Sequence, residues 1–117
     1  MTQTTRSPRP INLADVLEAM ADTVPDRTAI ATLDRDWTFA EIDDRSTRLA
    51  NRLIDLGIRP GEHVAVHATN RIEWVDALYG CFKARAVPIN INFKYLHDEL
   101  AYLYDNADCV AAIIAPE

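Results

Sequence analysis

Thr38-Phe39-Ala40-Glu41 opens the stretch that decides the fold. Leu49-Ala50 follows, then Leu56-Gly57-Ile58-Arg59-Pro60-Gly61-Glu62, Asn70-Arg71-Ile72-Glu73 and Ala86-Val87-Pro88-Ile89-Asn90-Ile91-Asn92. Thr38 and Glu41 have the spacing of a capping box. In that motif the Thr hydroxyl accepts from the amide of residue 41, and the Glu carboxylate accepts from the amide of residue 38. The helix they start is expected to bury Ile42, Leu49, Ala50, Leu53 and Ile54. Gly57 ends it, as a residue free to take positive φ. Arg45, Arg48 and Arg52 interleave with Asp43, Asp44 and Asp55 on the outer side, and Asp44 can pair with Arg48 across one turn. Pro60-Gly61 reads as a turn. His63 to Ala68 reads as a strand carrying Val64 and Val66. Asn70 and Glu73 repeat the cap pattern ahead of a helix with Trp74, Val75, Leu78, Tyr79 and Phe82. Ala86 to Ile91 reads as a strand interrupted by Pro88.

Upstream, Asn12 caps a helix whose apolar residues are Leu13, Val16, Leu17 and Met20, closed by Pro25. Thr28 to Leu33 reads as a strand, Asp34-Arg35-Asp36 as a turn, and Trp37-Thr38-Phe39 as a short returning strand, which together make a β-hairpin. Downstream, Leu96, Leu100, Leu103 and Ala107 mark another helix. Val110 to Ala115 is a near-continuous apolar run, the signature of a strand fit for burial on both faces. The order is α, hairpin, α, β, α, β, α, β. The fold class is therefore α/β: a β-hairpin plus alternating strands and helices forming part of a parallel sheet. Residues 1–11 read as a flexible tail broken by Pro8 and Pro10, and residues 12–117 as one unit of domain size.

The 117 residues carry 18 acidic and 12 basic side chains, a net charge of −6. That balance lacks the electrostatic footprint of a nucleic-acid binder. No apolar stretch approaches the ~20 residues of a transmembrane helix, and no apolar core follows Arg6 and Arg9, as a secretory signal would require. Cys81 and Cys109 stand far apart with no paired spacing. Two reduced thiols in a cytoplasmic protein are expected.

The search for chemistry finds no self-contained active site. Gly57, Gly61 and Gly80 form no phosphate loop. His63 and His67 would suit a metal on a helix. On a strand, positions four apart are ~13 Å apart by strand rise, too far for one ion. His97 lies at a helix start with no obvious partner. Cys81 sits in the apolar row Leu78, Cys81, Phe82 and reads as a buried structural thiol rather than a nucleophile. Asp43-Asp44 and Asp98-Glu99 lie near helix N-termini, where they complement the dipole. Trp74, Tyr79 and Phe82 read as core at helical spacing, with an acyl or aromatic pocket as the alternative.

The order of the motifs is more specific than any one of them. Trp37-Thr38-Phe39-Ala40-Glu41 resembles a "(Y/F)-T-(Y/F)-x-E" element of the AMP-forming acyl-CoA synthetases, the adenylate-forming ligases. The segment from Leu49-Ala50-Asn51-Arg52-Leu53 to Gly61-Glu62-His63-Val64-Ala65 resembles their "LA-x-x-L … G-(I/V)-x-x-GD-x-VA" stretch. Asn70-Arg71-Ile72-Glu73 is similar to "N-x-x-E". Phe82-Lys83-Ala84-Arg85-Ala86-Val87-Pro88-Ile89-Asn90 is similar to "x-K-(A/L)-GA-V-x-(V)P-(L/I)N". Glu99-Leu100-Ala101-Tyr102 followed by Asp105-Asn106-Ala107 matches the family's next helix. The likeness runs from Asn12 to Pro116 and is stronger to the fatty-acid–CoA ligase branch than to luciferases or peptide-synthetase adenylation domains. Two positions depart from the pattern. Glu62 stands where Asp is usual, and Arg85 stands where Gly is usual.

The resemblance implies an enzyme that activates a carboxylate with ATP and passes the acyl group to CoA, using ATP, Mg²⁺ and CoA. It also implies where that chemistry lies: a Ser/Thr/Gly-Lys phosphate loop, an aromatic-Gly-x-Thr-Glu segment, a ribose-binding Asp and a lysine of a mobile C-terminal domain. None has a counterpart here, so no catalytic, cofactor-binding or metal-binding residue carries over. The chain reads as the N-terminal piece of a fatty-acyl-CoA synthetase, whether through truncation, a split gene or deliberate expression of a fragment. It is expected to be inactive alone and to bind no cofactor by itself. The expected partner is the remainder of the ligase, or a second copy through the strand edge near Val110–Ala115. A non-catalytic interaction or regulatory module and an unrelated small α/β ligand-binding domain are the alternatives.

Overall fold

The computed structural model describes residues 11–68, 72–91, 101–102 and 105–114. Helix α1 spans Leu13–Thr23, and strands β1 (Thr28–Ala31) and β2 (Asp36–Thr38) make the hairpin. Helix α2 spans Phe39–Asp55, β3 His63–His67, α3 Ile72–Lys83, β4 Val87–Asn90 and β5 Cys109–Ile114. The hairpin is antiparallel, with Ile30 opposite Trp37 and Ala31 opposite Asp36. The second sheet is parallel in the order β4-β3-β5. Val64 lies beside Pro88 and Ala111, and Val66 beside Asn90 and Ile113. The α/β reading and its hairpin stand. The expected helix through Leu96, Leu100 and Leu103 falls largely outside the described residues, although residues 101, 102, 105 and 106 are helical. Asn70, His97, Asp98, Glu99 and Ala115 also lie outside them.

Local chemistry explains the helix ends. The Ala14 amide donates to Asn12 Oδ1 at 2.8 Å, and the Asn12 amide donates to Asp15 Oδ2 at 3.0 Å. At α2 the Glu41 amide donates to Thr38 Oγ1 at 3.2 Å, and the Thr38 amide donates to Glu41 Oε1 at 3.0 Å. Each box satisfies two amides that a helix start would otherwise leave unpaired. The C-terminus of α2 closes as a Schellman motif. Ile58 N–H reaches Leu53 O at 3.1 Å, Gly57 N–H reaches Ile54 O at 2.9 Å, and Gly57 takes φ +93°. Helix α3 closes the same way, with Ala86 N–H on Cys81 O at 2.9 Å and Arg85 N–H on Phe82 O at 3.0 Å. Here the left-handed residue is Arg85, at φ +63°. An L side chain holds that conformation at a cost of about 1–2 kcal/mol.

The core lies between α2, α3 and one face of the parallel sheet. Ala50, Leu53, Val64, Val66, Ala77, Cys81, Ala84 and Ala86 form it, with Leu49, Ile58, Trp74, Ala111 and Ile113 packed around them. Small residues dominate because α2 and α3 approach closely. A Cβ on Gly80 would fall 2.9 Å from Leu49 Cγ and Cδ2. Ser46 is fully buried at this crossing, and its hydroxyl donates back to Ile42 O at 2.8 Å.

Several side chains differ from their expected places. Ile54 is exposed, as are Leu13, Val16 and Met20 on α1. Leu33 lies at the hairpin tip rather than in a strand, and Phe39 belongs to α2. Cys109–Ile114 alternates between half-buried and exposed residues instead of being covered on both faces. Only the side bearing Ala111 and Ile113 meets the core.

Candidate functional site

In parallel α/β sheets, ligands and partners gather at the carboxyl ends of the strands. Helix α3 begins at that end of β3. Between its first turn and the hairpin lies a groove of about 970 Å³, walled by Ile30, Leu33, Trp37, Ile72, Trp74 and Val75. The hairpin brings Trp37 there because its short returning strand runs directly into the Thr38 cap of α2. Trp74 is placed from α3, and its indole N–H donates to Asn90 Oδ1 at 3.2 Å, at the end of β4.

Charged groups surround Trp37, one of the groove's walls. Arg45 points inward from α2, contrary to the expected outer position. It meets Asp76 of α3 through Nε (2.9 and 3.1 Å) and Nη2 (2.6 Å). Asp76 is buried, so the paired, two-pronged geometry is what makes its burial tolerable. Hydrogen bonding to Asp76 also raises the pKa of the Arg45 guanidinium above its ordinary value, against the opposing effect of burial. The Arg45 Cζ lies 4.7 Å from the Trp37 ring centroid and the Arg35 Cζ lies 3.9 Å from it, both within cation–π range. Arg35 is itself ion-paired with Glu41. The amide of Thr38 and then Arg35 hold the Glu41 carboxyl below its usual pKa.

His63 and His67 bracket β3. His63 Nδ1 lies 2.5 Å from Ala107 O, so its ring is engaged with the backbone. Cys81 is fully buried, and burial pushes its thiol up to about 11, the reverse of an activated nucleophile. Cys109 is half-buried, and burial and then Asp108 raise its thiol as well. Asp44 pairs with Arg48 at 3.0 Å as expected. Asp43 is not merely a solvated dipole partner, since it accepts from Lys83 Nζ. Tyr79 and Phe82 stack edge-to-face at 5.8 Å. Both are half-buried and stand apart from the core cluster, where the sequence placed them, and from the groove. Trp74 serves both readings, being packed on the core and lining the groove.

The described residues include neither a phosphate loop nor a three-ligand metal cluster. Among them no three His, Cys, Asp or Glu converge as a metal site. Gly57 and Gly61 lie on the α2–β3 connection and Gly80 lies inside α3, so none forms a phosphate loop at a helix start. The groove offers mainly apolar walls, with Thr32, Asp34, Arg35 and Glu73 also lining it. It contains no nucleophile with a base beside it. The Arg45–Asp76 pair and the Lys83 contacts escaped the sequence reading. Their partners lie 31 and 40 residues away along the chain, beyond the reach of any local pattern.

The hairpin, the capped α2 and the β4-β3-β5 sheet match the N-terminal subdomain of solved adenylate-forming CoA ligases. A family model described as "AMP-binding enzyme" matches residues 17–117, and the chain belongs to that family. It is 43% identical over 103 residues to a 3-oxocholest-4-en-26-oate–CoA ligase of Rhodococcus rhodochrous, covering 88% of this chain and 19% of the relative. It is 45% identical, with the same coverage, to a medium/long-chain-fatty-acid–CoA/3-oxocholest-4-en-26-oate–CoA ligase of Mycobacterium marinum. The crystal structure of the anthranilate–CoA ligase AuaEII superposes with a TM-score of 0.85 at 29% identity, over 92% of this chain and 21% of that one. The N-terminal domain of FACL13 from Mycobacterium tuberculosis superposes at 0.82 with 27% identity, over 88% of this chain and 26% of that one. The chain thus spans about a fifth of the length of the curated relatives it matches.

Proposed function

We propose that this chain is the N-terminal part of an AMP-forming fatty-acyl-CoA synthetase, which converts ATP, a carboxylic acid and CoA to acyl-CoA, AMP and diphosphate. The observation that carries the reading is the match along 88% of the chain to CoA ligases that act on fatty and steroid acids. The whole enzyme would use ATP, Mg²⁺ and CoA. In this reading residues 1–11 are a tail and residues 12–117 the start of the AMP-binding domain. The 117 residues alone do not adenylate. Their role is to present a hairpin, a groove and a sheet edge against which the rest of the ligase packs, through β5 and its neighbourhood near Val110–Ala115. A cytoplasmic location agrees with two free cysteines and with the lack, among the described residues, of any helix long and apolar enough to cross a membrane.

Calorimetric titration of the purified chain with Mg²⁺–ATP tests this. No heat of specific binding is expected. Saturable binding at micromolar strength would overturn the claim that this segment is nucleotide-free on its own.

A further inference from the structure

Helix α1 is attached by charge as well as by apolar burial. It buries only Ala14, Leu17 and Ala21, while Leu13, Val16 and Met20 are 37–57% exposed. Beside them stand Asp15, half-buried, and Glu18, at the exposed margin, three residues apart and therefore neighbours on one face. Both reach the C-terminal end of α3. Glu18 accepts from Lys83 Nζ at 3.0 Å, and Asp15 lies 3.4 Å from Arg85 Nη2.

Lys83 is the stronger point. Its side chain is 6% exposed. Its ammonium also donates to Asp43 at 2.5 Å and to Thr47 Oγ1 at 3.0 Å, both on α2. One buried ammonium, with three acceptors for its three donors, thus joins α1, α2 and α3. Arg85 is the more unusual point. It occupies the left-handed position of a Schellman motif, where Gly57 stands in the matching motif of α2. Its Nη1 is buried without a partner among the described residues. Nothing in the turn itself calls for an arginine, whereas the contact with Asp15 does.

We infer that Lys83 and Arg85 form a two-point clamp that fastens α1 as a separately releasable strap on the α2–α3 layer. Arg85 accepts a strained backbone in exchange for its half of the clamp. The inference goes beyond the ligase reading and does not depend on it. It makes an unusual demand, because removing the Arg85 side chain has opposite effects in two places. The helix end of α3 relaxes, since glycine holds positive φ freely, while α1 loses a fastening.

Hydrogen exchange read by mass spectrometry, together with thermal melting, tests this on the 117-residue chain, wild type against Arg85→Gly, Arg85→Lys and Lys83→Met. In Arg85→Gly the α1 amides exchange about threefold to fivefold faster, the scale of one partly exposed ion pair. Amides of α2, α3 and β3 exchange no faster, and the melting midpoint does not fall. Arg85→Lys restores most of the α1 protection without the gain at the α3 end. Lys83→Met loosens α1 further and costs global stability. If it does not fold, the two Arg85 variants carry the test. Unchanged α1 exchange in Arg85→Gly overturns the inference, and so does a loss of protection shared equally by α1 and α2.

Discussion

Gly80 and Cys81 sit side by side on α3 and both face the α2 crossing, but they constrain it differently. Gly80 is there for space. An added methyl would press on Leu49 at 2.9 Å, and the nearest atoms include Cβ and Cγ, which cannot swing aside as a side-chain tip could. Gly80→Ala should destabilise the chain by about 1–3 kcal/mol, as overpacked cores do. A urea titration reads this directly, and an unshifted midpoint would show that the helices part at no cost. Cys81 is there as a neutral filler. Its folded-state thiol titrates at about 11 against 9.0 when free. A thiol whose pKa is raised by folding contributes stability in full below pH 9, and that stability is lost as the pH rises through 11. The loss amounts to about 3 kcal/mol at most. Melting the wild type and Cys81→Ala from pH 8 to 11 should show this alkaline decline in the former and a flatter profile in the latter.

At the scale of elements, the two capping boxes and the Gly57 stop were legible in advance because they are written in residues three to five apart. The same locality makes them testable. Thr38→Ala leaves the Glu41 amide unpaired and should cost about 1 kcal/mol, seen as a lower thermal midpoint by circular dichroism. An unchanged midpoint would mean that water replaces the hydroxyl without loss. The hairpin and the strand–helix alternation were legible for the same reason. Periodicity found the inner side of α2 at Ile42, Leu49, Ala50 and Leu53 but not every residue that borders it. Ile54 has the right spacing for burial, but Leu53 beside it takes the inner position and Ile54 is turned outward and exposed. Arg45 looked like one of three solvated arginines until α3 supplied Asp76, a partner no helical repeat foretells. On α1 the apolar set Leu13, Val16, Leu17 and Met20 divides, with Leu17 buried and Leu13, Val16 and Met20 exposed. The burial of Ala14 and Leu17, and the reach of Lys83 and Arg85 to Glu18 and Asp15, turn the other three outward. The groove was hardly legible at all, because its two walls come from segments that only the tertiary fold places opposite each other.

For the molecule as a whole, the telling feature is a parallel sheet with helices α2 and α3 on one face and apolar residues still exposed on the other. Val110 and Ile114 are 53% and 64% exposed, and Val87 on β4 is 40% exposed. Parallel sheets are ordinarily covered on both faces. Strands that end at solvent usually carry a charge or a proline as a guard, and Cys109–Ile114 carries neither. The chain on its own should therefore self-associate as its concentration rises, despite a net charge of −6. Ile114→Lys should shift it toward monomer in sedimentation velocity. A wild-type chain that sediments as a monomer at all concentrations would remove β5 as a sticky edge. The groove at the opposite side of the hairpin has a different consequence. The chain contains two tryptophans, and both Trp37 and Trp74 line that one groove. Its ultraviolet fluorescence therefore originates almost wholly from a single place. Two guanidinium groups lie over one emitter, and the other is tied to Asn90. Whatever docks between the hairpin and α3 will announce itself as a change in emission colour and intensity, with no label attached.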